Sequence, residues 1–156
     1  MRRLIPVSLC IILTISALSL FSCTAGSCFE ETESYLKATF YVIEPAERAT
    51  APDSLSLHGL SNDSILYNKS VNILHALIPL NASVESCKFI IVAKGITDTI
   101  QFRYNSFPHL ISKECGYTFY HHLDTIPVFT SHAIKNITIT NATITNLNVE
   151  NIRIYY

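Results

Sequence analysis

The sequence contains little glycine, and the glycine-dependent motifs of nucleotide-binding proteins are missing. Only four glycines occur among 156 residues. Neither the Walker pattern nor the dinucleotide-binding Gly-x-Gly-x-x-Gly pattern is present. No Gly-x-Ser-x-Gly sequence surrounds a serine, so Ser112, with Glu114 nearby, lacks the context of a hydrolase nucleophile. We therefore expect no cofactor and no enzymatic activity.

Positive charge is also scarce. If residues 1–22 are removed, as argued below, nine Lys and Arg remain against twelve Asp and Glu, which gives a net charge of −3. The six lysines and three arginines are scattered singly along the chain. Such a surface has no electrostatic footprint for a phosphate backbone, so nucleic acid is excluded as a partner.

Helical periodicity is missing as well. Between Tyr35 and Tyr156, short β-branched and aromatic segments alternate with turn signals. The predicted strands are 35–43, 54–60, 65–67, 71–80, 87–93, 98–104, 116–122, 125–131 and 151–156. Gly95 is expected at the turn of a hairpin. About eight to ten short strands over residues 35–156 predict an all-β fold with a single antiparallel β-sandwich domain.

An apolar segment without charge opens the chain. Met1, Arg2 and Arg3 precede residues 4–20, which are mostly Leu, Ile and Val. This pattern is typical of a secretory signal peptide, here residues 1–22. The alternative is a permanent transmembrane helix, for which the length nearly suffices. Three serines in the segment and the absence of a following basic cluster favour cleavage.

The segment ends in Leu20-Phe21-Ser22-Cys23, which has the form of a bacterial lipobox. A small residue before the cysteine permits cleavage, and the thiol carries the diacylglyceryl group. We therefore predict that Cys23 is lipidated and that residues 23–34 form a short tether. The lipid bilayer is then a partner, because several acyl chains attach a protein stably at about 0.8 kcal/mol for each buried methylene.

Three thiols then remain for an oxidising compartment, where disulfides persist. Cys87 lies in a predicted strand and is expected to be a buried free thiol, whereas Cys28 and Cys115 adjoin turn-like sequence. We therefore predict a Cys28–Cys115 disulfide. A zinc site is the competing interpretation, but the six histidines show no ligand spacing relative to these cysteines, so no metal is expected.

Asparagine recurs every five residues near the end of the chain, at Asn136, Asn141, Asn146 and Asn151. One interpretation is a pentapeptide solenoid, although four copies make only one coil. The other is a pair of strands, at about 134–140 and 149–156, with a loop or bulged strand between them. A period of five would reverse the inward face of a continuous strand at each repeat, so we favour two strands.

Several motifs occur together in a fixed order. They are the lipobox, Cys28, residues 53–59, 78–81 and 97–100, Tyr104, residues 111–116 and the terminal 150–156. Together they resemble an uncharacterised domain-of-unknown-function family of small cell-envelope lipoproteins from Bacteroides-type bacteria. The resemblance supports the Cys28–Cys115 pair and implies an envelope address, with an outer-membrane β-barrel protein as a possible partner. Residues 24–27 carry no acidic side chain, which favours the periplasmic face of the outer membrane over the cell surface.

Bacteria of this type O-glycosylate periplasmic proteins at Asp-Ser/Thr-aliphatic sequences. Four sites fit this pattern, with Ser54, Ser64, Thr99 and Thr125 as the acceptors. The alternative is that Asp-Ser/Thr simply opens strands. Both interpretations remain open.

The densest titratable group is His121-His122 with Asp124. Adjacent strand residues point to opposite faces, so the two histidines are not expected to share a metal. The sequence thus favours a non-catalytic, membrane-anchored envelope module that docks to another envelope protein. The alternative is a ligand-binding or hydrolytic domain that acts on glycan or peptidoglycan, which a deep polar pocket would favour.

Overall fold

The computed structural model describes residues 27–44, 46–60 and 64–156. The predicted signal peptide and Cys23 lie outside these residues. The described part contains strands and no helix, so it holds no helical segment able to cross a membrane. The strands are Tyr35–Val42 (β1), Arg48–Ala49 (β2), Leu55–Gly59 (β3), Ile65–Ser70 (β4), His75–Pro79 (β5), Ser86–Ala93 (β6), Ile96–Ser112 (β7), Gly116–Leu123 (β8), Val128–Phe129 (β9), Asn136–Ile139 (β10), Thr143–Ile144 (β11) and Ile152–Tyr155 (β12). The all-β prediction is confirmed.

The strands form two sheets. A five-stranded sheet has the order β10-β12-β1-β2, with β5 also paired to β1. A seven-stranded antiparallel sheet has the order β11-β8-β7-β6-β3-β4, with β9 also paired to β7, and it curls into a half-barrel. One pairing departs from a purely antiparallel sandwich, because β1 and β12 are parallel. A parallel pair needs a long crossover connection, and the intervening chain supplies it by building the other sheet.

One core lies between the sheets. In β1 the side chains of Leu36, Ala38 and Phe40 are fully buried, as the alternating pattern predicts. They pack in one cluster with buried residues of the second sheet, such as Leu57 on β3 and Phe102 on β7. Each fully buried large side chain contributes about 1.5–3 kcal/mol of hydrophobic stabilisation. The two sheets are therefore held together by apolar contact over their facing sides.

The predicted hairpin at Gly95 is confirmed. Ala93 pairs with Ile96, so only Lys94 and Gly95 form the loop between β6 and β7. Both residues have positive φ, 53° and 75°, which is the conformation of a type I′ turn. Glycine reaches this region without steric cost.

Strand β7 is longer than predicted. It continues past Tyr104 to Ser112 and pairs with β8 throughout this second half. None of the strands that the structure describes pairs with the opposite edge of residues 105–112. Pro108 is accommodated here because a strand edge without a partner does not need its backbone N–H. The β7–β8 hairpin therefore projects beyond the core.

The asparagine repeat forms strands, as we favoured. Strand β10 pairs antiparallel with β12, and only the two-residue β11 lies between them. The buried side chain of Asn151 accepts a hydrogen bond from the Lys37 backbone N–H at 2.9 Å. It also donates to the backbone oxygens of Asn141 and Thr143, both at 3.1 Å. Asn151 thus fixes β1 against the returning chain.

Candidate functional site

The predicted disulfide is present and joins Cys28 to Cys115. Cys115 lies in the turn between β7 and β8, at the outer end of the projecting hairpin. Cys87 is a free thiol, as predicted, but it is half-buried and not fully buried. Burial raises the pKa of its thiol to about 11, despite a hydrogen bond with Tyr104 that lowers it. Cys87 is therefore protonated and unreactive at neutral pH.

Residues 27–34, which we call the tether segment, are fastened to the rest of the domain at Cys28, Glu31 and Ser34. Besides the disulfide, the backbone oxygen of Glu31 accepts a hydrogen bond from Asn146 Nδ2 at 2.9 Å. The Ser34 hydroxyl donates to the backbone oxygen of Phe119 on β8. The described part of the chain therefore begins at the hairpin end, passes Phe119 of β8 and enters β1.

The end of the hairpin carries exposed apolar side chains on one face. Leu110 pairs directly with Tyr117, and Pro108 with Phe119, so these four side chains share a face. Tyr117 is 74% exposed and Leu110 is 47% exposed. On the tether segment, Phe29 follows the disulfide-bonded Cys28 and is 93% exposed. We call Phe29, Leu110 and Tyr117 with their neighbours Pro108 and Phe119 the hairpin tip.

On the other face of the hairpin, the side chains contact one another and Asn146. The ring of Tyr120 stacks on His109 with a centroid distance of 4.2 Å and meets Phe107 edge-on at 6.2 Å. Its hydroxyl donates to Asn146 Oδ1 at 2.6 Å. This face is therefore held by contacts within the chain, in contrast to the hairpin tip.

The structure separates the predicted titratable group. His121 is buried and His122 is exposed, so they lie on opposite faces of β8 as expected. His121 Nδ1 is 2.8 Å from the Ser106 hydroxyl, and burial lowers the pKa of the imidazole. Asp124 instead accepts a hydrogen bond from Asn105. Within residues 27–44, 46–60 and 64–156, no group of three or more His, Cys, Asp or Glu side chains is placed to hold a metal.

A second polar group, which the sequence did not indicate, lies on the outer face of the five-stranded sheet. Thr39 Oγ1 is 3.0 Å from His75 Nδ1, and Arg153 Nε donates to Glu150 Oε1 at 2.7 Å. Burial would raise the pKa of Glu150, but hydrogen bonds from Arg153 and Thr39 lower it. Thr39 is only 1% exposed, so its hydroxyl cannot contact a substrate. We interpret these hydrogen bonds as structural contacts that hold β1, β5 and the chain before β12 together.

Asp98 was also missed as a structural residue. Its carboxylate is buried and accepts hydrogen bonds from Thr130, His132, Ala133 and Ile134 at 2.7–3.0 Å. Burial alone would raise the pKa of Asp98, but these hydrogen bonds lower it to about 2. The carboxylate therefore stays ionised and holds the segment before β10 against β7.

The four predicted glycosylation acceptors lie in different surroundings. Thr125 is exposed in the segment after β8, and Ser54 and Ser64 precede β3 and β4 half-buried. Thr99 lies half-buried inside β7, where its backbone N–H donates to Thr130 Oγ1. Asp98, which precedes Thr99 in its motif, is buried, whereas Thr125 is exposed. Thr125 is therefore the acceptor most open to a modifying enzyme. Modification itself stays a prediction.

A groove of about 210 Å³ lies between the tether segment and the outer face of β1, with Glu31, Glu33, Lys37 and Leu147 among its lining residues. It is smaller than the roughly 300–1,000 Å³ of typical ligand pockets. The carboxylate of Glu31 accepts the Glu33 backbone N–H, and Glu33 accepts the Tyr35 hydroxyl, which raises the pKa of Tyr35. Two wider depressions, of about 490 Å³ beside His58 and about 430 Å³ beside Lys135, are open to solvent.

Comparison with known proteins gives one family match. The model of DUF6452, a family of unknown function, matches residues 54–156. The match covers the chain from just before β3 to its last residue and starts after the tether segment and β1. No curated protein and no solved structure matches significantly.

Proposed function

The chain belongs to DUF6452, a family of unknown function, and we propose that it is a membrane-anchored lipoprotein of the bacterial cell envelope. In this proposal Cys23 carries the lipid, and the β-sandwich is a non-catalytic module that docks to another envelope protein. The proposed location is the periplasmic face of the outer membrane.

The main support for the proposal is the attachment of the tether segment to the domain by the disulfide and two hydrogen bonds. The Cys28–Cys115 disulfide needs an oxidising compartment, which agrees with export across the inner membrane. Its first cysteine follows the proposed lipidation site by only five residues. An anchor at Cys23 would thus be tied to the folded body through a covalent bond and two hydrogen bonds.

A docking role is supported by the burial of the polar groups and by the exposure of apolar side chains near the tether segment. The buried hydroxyl of Thr39 and the buried imidazole of His121 do not reach solvent, so they serve packing. By contrast, Leu77 and Leu147 beside the groove at the tether segment are exposed. Exposed apolar side chains next to polar ones are typical of surfaces that contact another protein.

The anchor is tested by intact mass spectrometry of the full chain purified from a Gram-negative host. We expect a mature protein that starts at Cys23 and carries fatty acid. The Cys23→Ala variant should retain residues 1–22 and carry no fatty acid, because the sulfur is the acyl acceptor. Cys87→Ala is the matched control and should be processed as the wild type. A wild-type protein without fatty acid, or one that starts at Met1, contradicts the proposal.

Docking is tested by crosslinking in intact cells, followed by mass spectrometry. We expect one envelope protein to be recovered repeatedly with crosslinks near the groove, for instance through Lys37. The Leu147→Glu variant should reduce this crosslinking, whereas the Val128→Glu variant, at an exposed residue of β9, should not. Absence of a reproducible partner would reject the docking role.

A further inference from the structure

We propose that the hairpin tip contacts the membrane surface at the level of the lipid head groups. This inference rests on the proposed lipidation of Cys23 and specifies how the anchored domain is oriented. Phe29, Leu110 and Tyr117 are the side chains that would meet the lipid.

The first argument is the position of the anchor. The described chain begins at Ser27, and Cys28 is bonded to Cys115 at the end of the hairpin. Five residue steps separate Cys28 from Cys23, and a fully extended chain spans at most about 18 Å over this length. The lipidated residue is therefore confined to the surroundings of the hairpin tip and cannot reach the opposite end of the sandwich.

The second argument is the length of the hairpin strand. Strand β7 has seventeen residues, and an extended strand rises about 3.3 Å for each residue. Its two ends are thus separated by about 50 Å along the strand. Ser34 is bonded to β8 and Glu31 to Asn146, so the tether segment has a fixed course from the disulfide to β1 and cannot swing the other end of the sandwich onto the membrane.

The third argument is the chemistry of the hairpin tip. Aromatic side chains with a polar edge, such as tyrosine, are enriched at membrane interfaces. Tyr117 and Phe29 are 74% and 93% exposed, whereas Phe107 on the opposite face is 40% exposed and its ring meets that of Tyr120. Glu30 and Glu114 lie in the same region, and Lys113 is exposed in the turn. Carboxylates do not enter hydrocarbon, so the contact is shallow and stays among the head groups.

The sequence contains no tryptophan, which permits a direct test with a single fluorescent reporter. Leu110→Trp places the reporter at the hairpin tip. Ile96→Trp places it at the other end of the same strand, and the two replaced side chains have nearly equal exposure, 47% and 44%. Each full-length lipoprotein is reconstituted into vesicles of phosphatidylethanolamine and phosphatidylglycerol that contain a lipid brominated near its head group. Intact mass of each preparation records acylation.

We expect the acylated Leu110→Trp protein to lose most of its emission to the brominated lipid and to shift to shorter wavelength, while Ile96→Trp does neither. If the acylated proteins show no quenching at either position, or equal quenching at both, the proposed orientation is wrong. The lipidation of Cys23 is then still supported by the mass of the preparation. Quenching at Ile96→Trp alone rejects the orientation as well. A preparation without fatty acid rejects the lipoprotein proposal, and with it this inference.

Discussion

At the scale of single residues, Asp98 shows how one buried charge organises a distant segment. Its carboxylate is 1% exposed and receives hydrogen bonds from residues 32 to 36 positions further along the chain. Hydrogen bonds to a charged group contribute more than neutral ones, and a buried charge without them is strongly unfavourable. Asp98 therefore supplies several of the hydrogen bonds that hold the segment before β10 to β7.

We expect Asp98→Asn to lower the free energy of unfolding by about 2–4 kcal/mol. The amide keeps one acceptor oxygen but turns a nitrogen towards backbone N–H groups that need an acceptor. Asp124→Asn is the matched control, because Asp124 is exposed and has one recorded side-chain hydrogen bond. It should change stability by no more than about 0.5 kcal/mol. Urea unfolding measures both, and equal effects would contradict the role of Asp98.

The pH dependence of stability should also reveal Asp98. Its pKa is about 2 in the folded protein, below the value of about 3.9 for an unfolded aspartate. Its contribution is therefore fully present above pH 4 and is lost as the pH falls towards 2. This loss amounts to about 2–3 kcal/mol. Unfolding free energies of wild type and Asp98→Asn measured across this range should converge as the pH falls, and parallel curves would show that Asp98 is not stabilised as an anion.

Residue roles of this kind could be predicted from the sequence only in part. The Cys28–Cys115 pair was predicted because turn-like sequence distinguishes these cysteines from Cys87 in its strand. The sequence placed Asp98 in a predicted strand, in a family motif and in a glycosylation motif, but did not indicate its structural role. Its hydrogen-bond donors lie more than thirty residues away, and no local pattern indicates such a partner.

At the scale of elements, the turn between β6 and β7 depends on the backbone conformation of Gly95. A Cβ atom at Gly95 would meet nothing within 4 Å, but the residue has φ of 75°. We therefore expect Gly95→Ala to cost about 1–2 kcal/mol through conformational strain without a clash. Lys94→Ala, in the same turn, is a comparison that also removes the contact of Lys94 with Tyr156. Thermal unfolding of Gly95→Ala and Gly95→Asn should show the asparagine variant to be the more stable, since asparagine tolerates this region better; the reverse order would contradict the argument.

The elements inside the core were the ones that alternation predicted well. Strands β1, β3 and β6 lie within a residue or two of their expected bounds, because one face of each is buried. The second half of β7 was missed. It projects beyond the core, so burial does not impose a period of two there. The fold of a projecting hairpin depends on its partner strand, which a linear pattern does not identify.

At the scale of the whole molecule, the disulfide closes a long stretch of chain. Cys28 and Cys115 are 87 residues apart, and a loop of this length corresponds to about 4–5 kcal/mol in the chain-entropy model. We expect the Cys28→Ala/Cys115→Ala double variant to lose stability of this order in urea unfolding. Dithiothreitol should lower the stability of wild type and leave the double variant unchanged. A wild type insensitive to reduction would contradict a stabilising role.

The five-stranded sheet depends on its last strand. Strand β12 lies between β10 and β1, and both Ile152 and Ile154 are fully buried. A chain truncated after Glu150 should show no cooperative unfolding, because β1 and β10 lose their common partner and the core is opened. Ile154→Val should fold and cost about 0.5–1.5 kcal/mol. Near-ultraviolet circular dichroism on heating distinguishes these outcomes, and cooperative melting of the truncated chain would contradict the prediction.

The parallel pairing of β1 with β12 has a consequence for biogenesis. Ala38 lies beside Ile152, so β1 cannot pair with β12 until 114 further residues have been synthesised. A nascent chain cannot complete its hydrophobic core while its C-terminal part is still in the ribosome or in a translocation channel. The five-stranded sheet can therefore close only after the last residues of the chain have been released.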